Sequence, residues 1–326
     1  MSTLLRRLAF AAALCLAIPA AQAAAEDAYP TKPVRFIVSF PPGGSADLMA
    51  RQVAQKLGEK FGQSFVVENR AGAGGNIGLE VVAKSAPDGY TIGVGAAGAL
   101  AVNVSLYKTM PFDPVKDFAP VTMLAEIPFV LAVNPSVEAK TVTDFVALAK
   151  AKPGALTIGH GGNGTAMHLS SQLLNSMAGT SIELVPYKGS APAATDTMAG
   201  HVPASMLDIQ SAVNFIQGKR LTALAVTSSK RVEALPDVPT FAEAGLPGYE
   251  SVGWFGVVAP AGTPAPIIAK LNAGIVEALQ DPEIRQRALA AGAIPAPTTP
   301  EAFAATIRSE IAKWSKVIAE AGIKPE

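Results

Sequence analysis

The chain has 326 residues, of which 49% are hydrophobic and 16% charged, with 26 basic and 26 acidic side chains. This length predicts roughly two domains, and the neutral balance argues against binding to nucleic acid or to anionic membrane surfaces. The only cysteine, Cys15, lies in an apolar N-terminal run. If that run is removed, disulfide and thiolate chemistry are excluded.

Residues 1–25 have the parts of a secretory signal peptide. Arg6 and Arg7 form a basic segment, residues 8–20 are apolar, and Ala-Gln-Ala at 21–23 fits a small-x-small cleavage site. The apolar run is short for a membrane span, although an uncleaved N-terminal anchor is the alternative. We predict cleavage near residue 24 and export to the periplasm.

A strand, a glycine turn and a helix open the predicted fold. Residues 34–40 (VRFIVSF) suit a buried strand, the Pro-Pro-Gly-Gly segment at 41–44 ends it, and Ser45 is expected to cap the following helix. Such a turn leaves free N–H groups where the helix dipole favours an anion. It predicts either a carboxylate or phosphate site or a simple connection. Asp47 and Arg51, one helical turn apart, are expected to form an ion pair.

The rest of the chain alternates strands with helices, which indicates parallel βαβ units with ligand loops at the C-terminal strand edge. Residues 120–135 are apolar, interrupted by Pro128, and expected to pass from one domain to the other. A later strand, 254–260, is expected to return to the first domain. Two amphipathic helices are predicted at the end, from near Pro264 and from a cap at Thr299. Further strands are predicted at 65–68, 90–95, 156–159, 182–187, 204–209 and 221–227, and helices at 79–86, 141–151 and 167–179. A turn and helix are predicted at 188–200, and glycine-rich or small-residue turns at 71–78, 96–99 and 160–166.

Enzyme and cofactor signals are weak. Residues 159–164 satisfy G-x-G-x-x-G, with Glu183 about 20 residues further on, but an exported protein seldom meets NAD and the motif lies mid-chain. We therefore predict no cofactor. A G-x-S-x-G motif and a metal-ligand pattern are both absent from the sequence. The histidines are expected to serve as local hydrogen-bonding or surface residues: His160, His168 and His201.

Several segments resemble one family throughout the chain after residue 28. They are YPTKPVRFIVSFPPGGSADLMAR (29–51), VVENRAGAGGNIG (66–78), PDGYTI (87–92), NGTAMHL (163–169), VPYKGSAPAATDTMAG (185–200) and LPDVPTFAEAG (235–245). The chain resembles the extracytoplasmic solute-binding proteins of tripartite tricarboxylate transporters, the Bug family. The resemblance implies an α/β, two-lobed periplasmic-binding-protein fold of type II, without catalysis. Its implied parts are lobe 1, at 26–126 and 251–326, and lobe 2, at 127–250, joined by a hinge.

In that family, loops of both lobes hold a ligand carboxylate, largely through backbone amides and bridging waters. Tyr187 and Asp208, near the ends of predicted strands, serve either as ligand contacts or in turn chemistry. Ala99 and Leu100 stand where relatives have a polar Thr-His pair, while Asn103 is retained, so the ligand's identity is left open. We predict ligand contacts at Phe40, Pro42, Gly43, Gly44, Ser45, Asp47, Ala97, Gly98, Gly161, Gly162, Asn163, Gly164, Thr165, Tyr187, Lys188, Gly189 and Asp208.

The predicted function is capture of a small organic carboxylate in the periplasm and its delivery to the integral-membrane subunits of a tripartite transporter. A monomer is expected. A sensory module of the same fold and an exported α/β enzyme are the alternatives. Because few basic residues flank the predicted loops, we expect a monocarboxylate, or a carboxylate with an apolar body, to bind better than citrate. Gly44 and Gly164 are expected to need positive φ or close backbone approach.

Overall fold

The computed structural model describes residues 29–320. The predicted signal peptide, with Arg6, Arg7 and Cys15, lies outside the described residues. Within residues 29–320 the strands are β1 (Val34–Val38), β2 (Phe65–Asn69), β3 (Thr91–Ala96), β4 (Phe118–Val133), β5 (Thr157–His160), β6 (Glu183–Pro186), β7 (Ala204–Asp208), β8 (Thr222–Val226), β9 (Val252–Pro260) and β10 (Ile294–Pro295). The α-helices there are α1 (Ser45–Phe61), α2 (Asn76–Ala83), α3 (Asn103–Leu106), α4 (Val142–Ala151), α5 (Ala166–Ala178), α6 (Ser190–Ala199), α7 (Ile209–Gln217), α8 (Ala265–Gln280), α9 (Pro282–Ala290) and α10 (Pro300–Glu320).

Two groups of strands form the two lobes. In lobe 1, β1 lies parallel to β2 and β3, and β9 runs antiparallel between β3 and the first part of β4. In lobe 2, β5 lies parallel to β6 and β7, and the last part of β4 runs antiparallel to β7 and β8. The parallel strands are joined through helices, as the alternating sequence pattern predicts. The predicted α/β class is confirmed.

Strand β4 belongs to both lobes. It pairs with β9 as far as Pro128 and with β7 from Phe129 onward. The strand is continuous, as expected for a single extended segment that passes from one domain to the other; the missing N–H of Pro128 falls where the strand changes partner. The return strand β9 pairs with β3 and β4 as expected. The lobe boundaries at 126/127 and 250/251 stay predictions.

Thr227 forms hydrogen bonds with both chain segments that connect the lobes. Its N–H donates to the Phe129 carbonyl over 2.9 Å, and its Oγ1 accepts the Phe129 N–H over 2.8 Å. The Thr227 carbonyl accepts the Ser251 N–H over 2.9 Å. The outgoing strand and the returning chain are therefore tied to one residue.

Each sheet is covered on both faces, because successive side chains of a strand point to opposite sides. On β1, buried Phe36 packs into the core beneath α1 and α8, whereas buried Ile37 packs into a second core with α2 and α10. On β4, Leu131 and Val130 divide in the same way between the two cores of lobe 2. The terminal helices α8 and α10 are thus packing helices of lobe 1, as their apolar stripes predict.

Four local predictions are corrected. Ser45 is the first residue of α1 and caps nothing, because Gly44 occupies the N-cap position without a side-chain bond. Residues 96–99 form no turn: β3 ends at Ala96, and a π-helical segment spans Gly98–Val102. Helix α2 begins at Asn76, three residues before the predicted start.

The fourth correction is helix α9, which was not predicted between the two C-terminal helices. Asp281 caps it by accepting the amides of Glu283 and Ile284 over 2.9 and 3.2 Å, and Pro282 occupies its first position. The Asp-Pro pair was the available signal. In the described part of the chain, no helix is long and apolar enough to cross a membrane.

Candidate functional site

A cavity lined by residues of both lobes lies between them. Phe40, from the loop after β1, packs against Phe255 of β9 with ring centroids 5.9 Å apart. Trp254, the residue before Phe255 in β9, packs edge-to-face against Phe303. Most of the lining surface is apolar and comes from both lobes. The large apolar side chains of the lining are Phe40, Ile127, Phe129, Met167, Trp254 and Phe255.

Four helices direct their N-termini at this cavity. The first residues of α1 from lobe 1, and of α5 and α6 from lobe 2, line it together with Asp208, the N-cap of α7. The N-terminus of a helix carries unsatisfied N–H groups and about half a positive charge. These helix starts favour an anion in the cavity, although no lysine or arginine is among its lining residues in the described part of the chain.

Two of the four helix starts are capped by side chains and two are not. Thr165 Oγ1 accepts the His168 amide over 3.3 Å, and Asp208 Oδ1 accepts the Ser211 amide over 2.8 Å. In contrast, α1 and α6 begin after Gly44 and Gly189, which offer no cap. Within residues 29–320, the first amides of these two helices make no hydrogen bond to the protein. They are available to an anion, one set from each lobe: Ser45 and Ala46, and Ser190 and Ala191.

Asp47 shapes the lobe 1 loop rather than lining the cavity. Its Oδ2 accepts the Gly43 amide and Arg51 Nε, each over 3.0 Å, and its Oδ1 accepts Asn69 Nδ2 over 2.9 Å. Asn69 also donates to the Phe40 carbonyl over 3.0 Å. Burial would raise the pKa of Asp47, but the Arg51, Gly43 and Asn69 hydrogen bonds outweigh it and lower that pKa. The predicted Asp47–Arg51 ion pair is confirmed, at 2.9 Å.

Two histidines hold the glycine loop of lobe 2. The Gly162 amide donates to His160 Nδ1 and the Gly164 amide to His168 Nδ1, both over 3.3 Å. The two rings stack with centroids 4.8 Å apart. The histidines are the local hydrogen-bonding residues that the sequence predicts. Because the histidines accept the Gly162 and Gly164 amides, these two donors of the G-x-G-x-x-G turn are not available to a phosphate.

Glycines bring the lobes together beside the cavity. A Cβ on Gly189 would lie 2.9 Å from Pro41 Cδ, and one on Gly164, which has φ +74°, would overlap Asn103 Oδ1. The expectation for Gly164 is confirmed. That for Gly44 is wrong: its φ is −81°, and a Cβ there would meet only the Pro41 carbonyl at 3.9 Å.

The predicted contact residues divide into three groups. Residues that line the cavity are Phe40, Gly44, Ser45, Ala97, Thr165, Gly189 and Asp208. Residues in an adjoining polar cleft, which shares Phe40 with the cavity, are Gly161, Gly162, Asn163, Tyr187 and Lys188. Residues that line neither are Pro42, Gly43, Asp47, Gly98 and Gly164.

Ser190 and Ala191 of the α6 start, and Trp254 and Phe255 of the aromatic wall, were not predicted as contacts, although Gly189 was. The α6 start repeats the Gly-Ser-Ala tripeptide of the α1 start, at 189–191 and 44–46, and this repeat was the signal. Trp254 and Phe255 lie in a strand, where an apolar sequence does not distinguish a core wall from a ligand wall. Within residues 29–320, no group of three or more His, Cys, Asp and Glu side chains could hold a metal ion.

Comparison with known proteins decides the family. Residues 49–323 match the tripartite tricarboxylate transporter family receptor. The chain belongs to this family. Protein BugT of Bordetella pertussis is 41% identical over 299 residues, which cover 91% of this chain and 92% of BugT. The receptor identity and the Bug resemblance are confirmed.

Solved structures of similar sequence show the same fold. A periplasmic transporter is 40% identical, with a TM-score of 0.88 over 91% of this receptor and 99% of its own chain. R. palustris Rpa4515, solved with adipate, is 39% identical, with a TM-score of 0.88 over 91% of this receptor and 100% of its own chain. The predicted two-lobed periplasmic-binding-protein fold is confirmed.

The buried histidine of the receptor's glycine loop makes its stability depend on pH. Burial, and next the neighbouring His168, lower the pKa of His160 to about 3. Between that value and about 6.5 the unfolded chain binds a proton that the folded chain does not, so stability falls as pH falls, by about 1.4 kcal/mol per pH unit.

We expect His160→Asn, whose side-chain oxygen can still accept the Gly162 amide, to flatten this dependence. Urea unfolding of parent and variant at pH 7, 6, 5 and 4 measures it. The difference in free energy of unfolding between the two proteins should change in the variant's favour as pH falls. A difference that is the same at every pH would contradict the assignment.

Proposed function

We propose that the cavity binds the carboxylate of a small organic acid through the uncapped amides of α1 and α6. The observation that carries this proposal is the convergence of two unsatisfied helix N-termini, one from each lobe, on one enclosed space. Hydrogen bonds from backbone N–H to a carboxylate are charge-assisted and strong. A ligand held from both sides favours the closed arrangement of the lobes, since only that arrangement completes the contacts.

The charge of the cavity supports a ligand with a net charge near −1. The uncapped N-termini of α1 and α6 favour one negative charge between them, and Asp208 brings no positive charge to the lining. Arg51 is engaged by Asp47, and exposed Lys188 belongs to the adjoining cleft. The second and third carboxylates of citrate would lack partners, and an unpaired buried charge costs several kcal/mol.

The apolar walls define the rest of the ligand. Phe129, Trp254 and Phe255 offer aromatic surface, on which an aliphatic or aromatic body gains about 25 cal/mol per Å² removed from water. Adipate, found in the similar R. palustris protein, has a body of this kind. We propose for this receptor a monocarboxylate, or a carboxylate with an apolar body.

We further propose that the receptor acts in transport. Its family is that of receptors for tripartite tricarboxylate transporters, and the 40% identical structure is that of a periplasmic transporter. The proposed receptor works in the periplasm as a monomer after cleavage near residue 24, releases its ligand unchanged, and delivers it to the membrane subunits. The mass of the N-terminal peptide of the exported protein tests the cleavage: retained Arg6 and Arg7 would contradict it.

Calorimetric titration with hexanoate, benzoate, adipate, citrate and benzamide tests the ligand class. We expect the best monocarboxylate or adipate to bind at least about tenfold more tightly than citrate, a difference of about 1.4 kcal/mol. Benzamide, which has no charge, should not bind measurably. Citrate affinity equal to that of the best acid would show that the cavity is more positive than its lining residues indicate.

A capping side chain introduced at position 44, which would compete with the ligand, tests whether the α1 amides contact the ligand. Gly44 has the extended backbone of an N-cap, so Gly44→Asn can accept the free α1 amides and should keep or slightly raise stability. The same cap takes the donors from the ligand, so affinity should fall at least about tenfold.

The matched control is Gly44→Ala, which has the same backbone and a Cβ but no cap. It should bind nearly as well as the parent, because the added Cβ meets only the Pro41 carbonyl at 3.9 Å. Calorimetry measures affinity and urea unfolding measures stability. Unchanged affinity in Gly44→Asn would exclude the α1 amides as ligand contacts.

A further inference from the structure

Asp208 is the one ionisable side chain among the residues that line the cavity. It ends β7 and is 5% exposed. Its Oδ1 accepts the Ser211 amide over 2.8 Å, which caps α7, and its own amide donates to Ser190 Oγ over 3.0 Å. Within residues 29–320, Oδ2 makes no hydrogen bond of standard geometry. Capping of α7 therefore uses one carboxylate oxygen of Asp208.

The groups around this carboxylate compensate it only in part. No lysine, arginine or histidine lines the cavity. Burial raises the pKa of Asp208, and the hydroxyls of Ser211, Ser45 and Ser190 oppose that rise without cancelling it. Ser45 Oγ nevertheless makes no hydrogen bond of standard geometry, although its residue is 2% exposed and lines the cavity. A buried carboxylate and a buried hydroxyl without a partner thus lie together in the cavity lining, and a buried hydroxyl without a partner is costly unless a ligand supplies one.

Asp208 lies close to where the ligand carboxylate is proposed to bind. Ser190 supplies one of the free α6 amides, and its hydroxyl is 3.0 Å from the Asp208 amide. Two carboxylates held close together repel each other when both are ionised. A donor between them would turn this repulsion into a hydrogen bond. On a small ligand, a donor that lies between the two carboxylates would be attached to the carbon next to the ligand's own carboxylate.

We propose that Asp208 determines selectivity by accepting a hydrogen bond from an N–H or O–H group on the carbon next to the ligand's carboxylate. The favoured class is therefore the 2-hydroxy and 2-amino acids with an apolar body. This inference rests on the proposed carboxylate function and assigns Asp208 a ligand contact in addition to its capping role. A like-charged second carboxylate beside Asp208 is disfavoured by the same residue.

Three acids of equal chain length test the proposal: hexanoate, 2-hydroxyhexanoate and 6-hydroxyhexanoate. Calorimetric titration of the parent should show 2-hydroxyhexanoate binding at least about tenfold more tightly than hexanoate. The 6-hydroxy acid carries the same group at the far end and should gain no such preference. Equal affinity for hexanoate and the 2-hydroxy acid would overturn the inference and leave the proposed function standing. If no carboxylate binds, both this inference and the proposed carboxylate function are contradicted.

The Asp208→Asn variant removes the carboxylate but keeps a side chain that can cap α7. Asparagine caps helices as well as aspartate does, so α7 is retained while the ionised acceptor is lost. The preference for 2-hydroxyhexanoate should fall below about threefold in this variant, and succinate should bind at least about tenfold better than it binds the parent.

The control is Asp281→Asn, the same change at the N-cap of α9, outside the cavity. It should keep the parent's preference. An Asp208→Asn protein that folds, binds hexanoate and keeps the full preference would overturn the role of Asp208. If Asp208→Asn does not fold, the three-acid comparison on the parent still decides the proposal.

Discussion

Unsatisfied backbone amides at the starts of α1 and α6 are the constraint on which the cleft depends. A buried N–H without an acceptor is costly, and within residues 29–320 neither helix start has a side-chain cap. Glycine at both N-caps leaves the amides accessible, whereas Thr165 and Asp208 close the two neighbouring helix starts. Selective capping concentrates the donors at one place. The apolar walls then strengthen each hydrogen bond by excluding water.

The remaining architecture serves to bring these two helix starts together. The lobes are joined through β4 and the return to β9, and Thr227 hydrogen-bonds to both connections. The facing loops approach closely because glycines replace side chains there, as at Gly189 against Pro41. Tyr107 of lobe 1 also donates to the Asn163 carbonyl of lobe 2 over 3.3 Å. Closure therefore depends on backbone shape more than on charged side chains.

Much of the fold could be predicted from the sequence because strand and helix periods are strong local signals. The errors arose where tertiary position overrides local chemistry. The small residues at 96–99 suggest a turn, but β3 ends at Ala96 and a π-helical segment spans Gly98–Val102. Ser45 is a good capping residue by type, yet Gly44 precedes it and occupies the N-cap position.

The site was harder to predict than the fold. The glycine turn at 40–47 was identified, but Asp47 within it braces the loop. The loop at 161–165 was predicted to bind the ligand in the same way as the loop at 40–47. Two of its amides, those of Gly162 and Gly164, instead donate to His160 and His168. No local pattern reports which amides a distant side chain will satisfy. The repeated Gly-Ser-Ala at the starts of α1 and α6 was visible in the sequence; its meaning required knowing that both helices face one cavity.

The most direct test is a crystal structure of the receptor with a bound monocarboxylate. The account predicts carboxylate oxygens about 2.7–2.9 Å from N–H groups at the starts of both α1 and α6, or joined to them through one water. The organic body should lie against Trp254 and Phe255. A carboxylate bound by Lys188 in the adjoining cleft, or by residues of one lobe alone, would contradict the account.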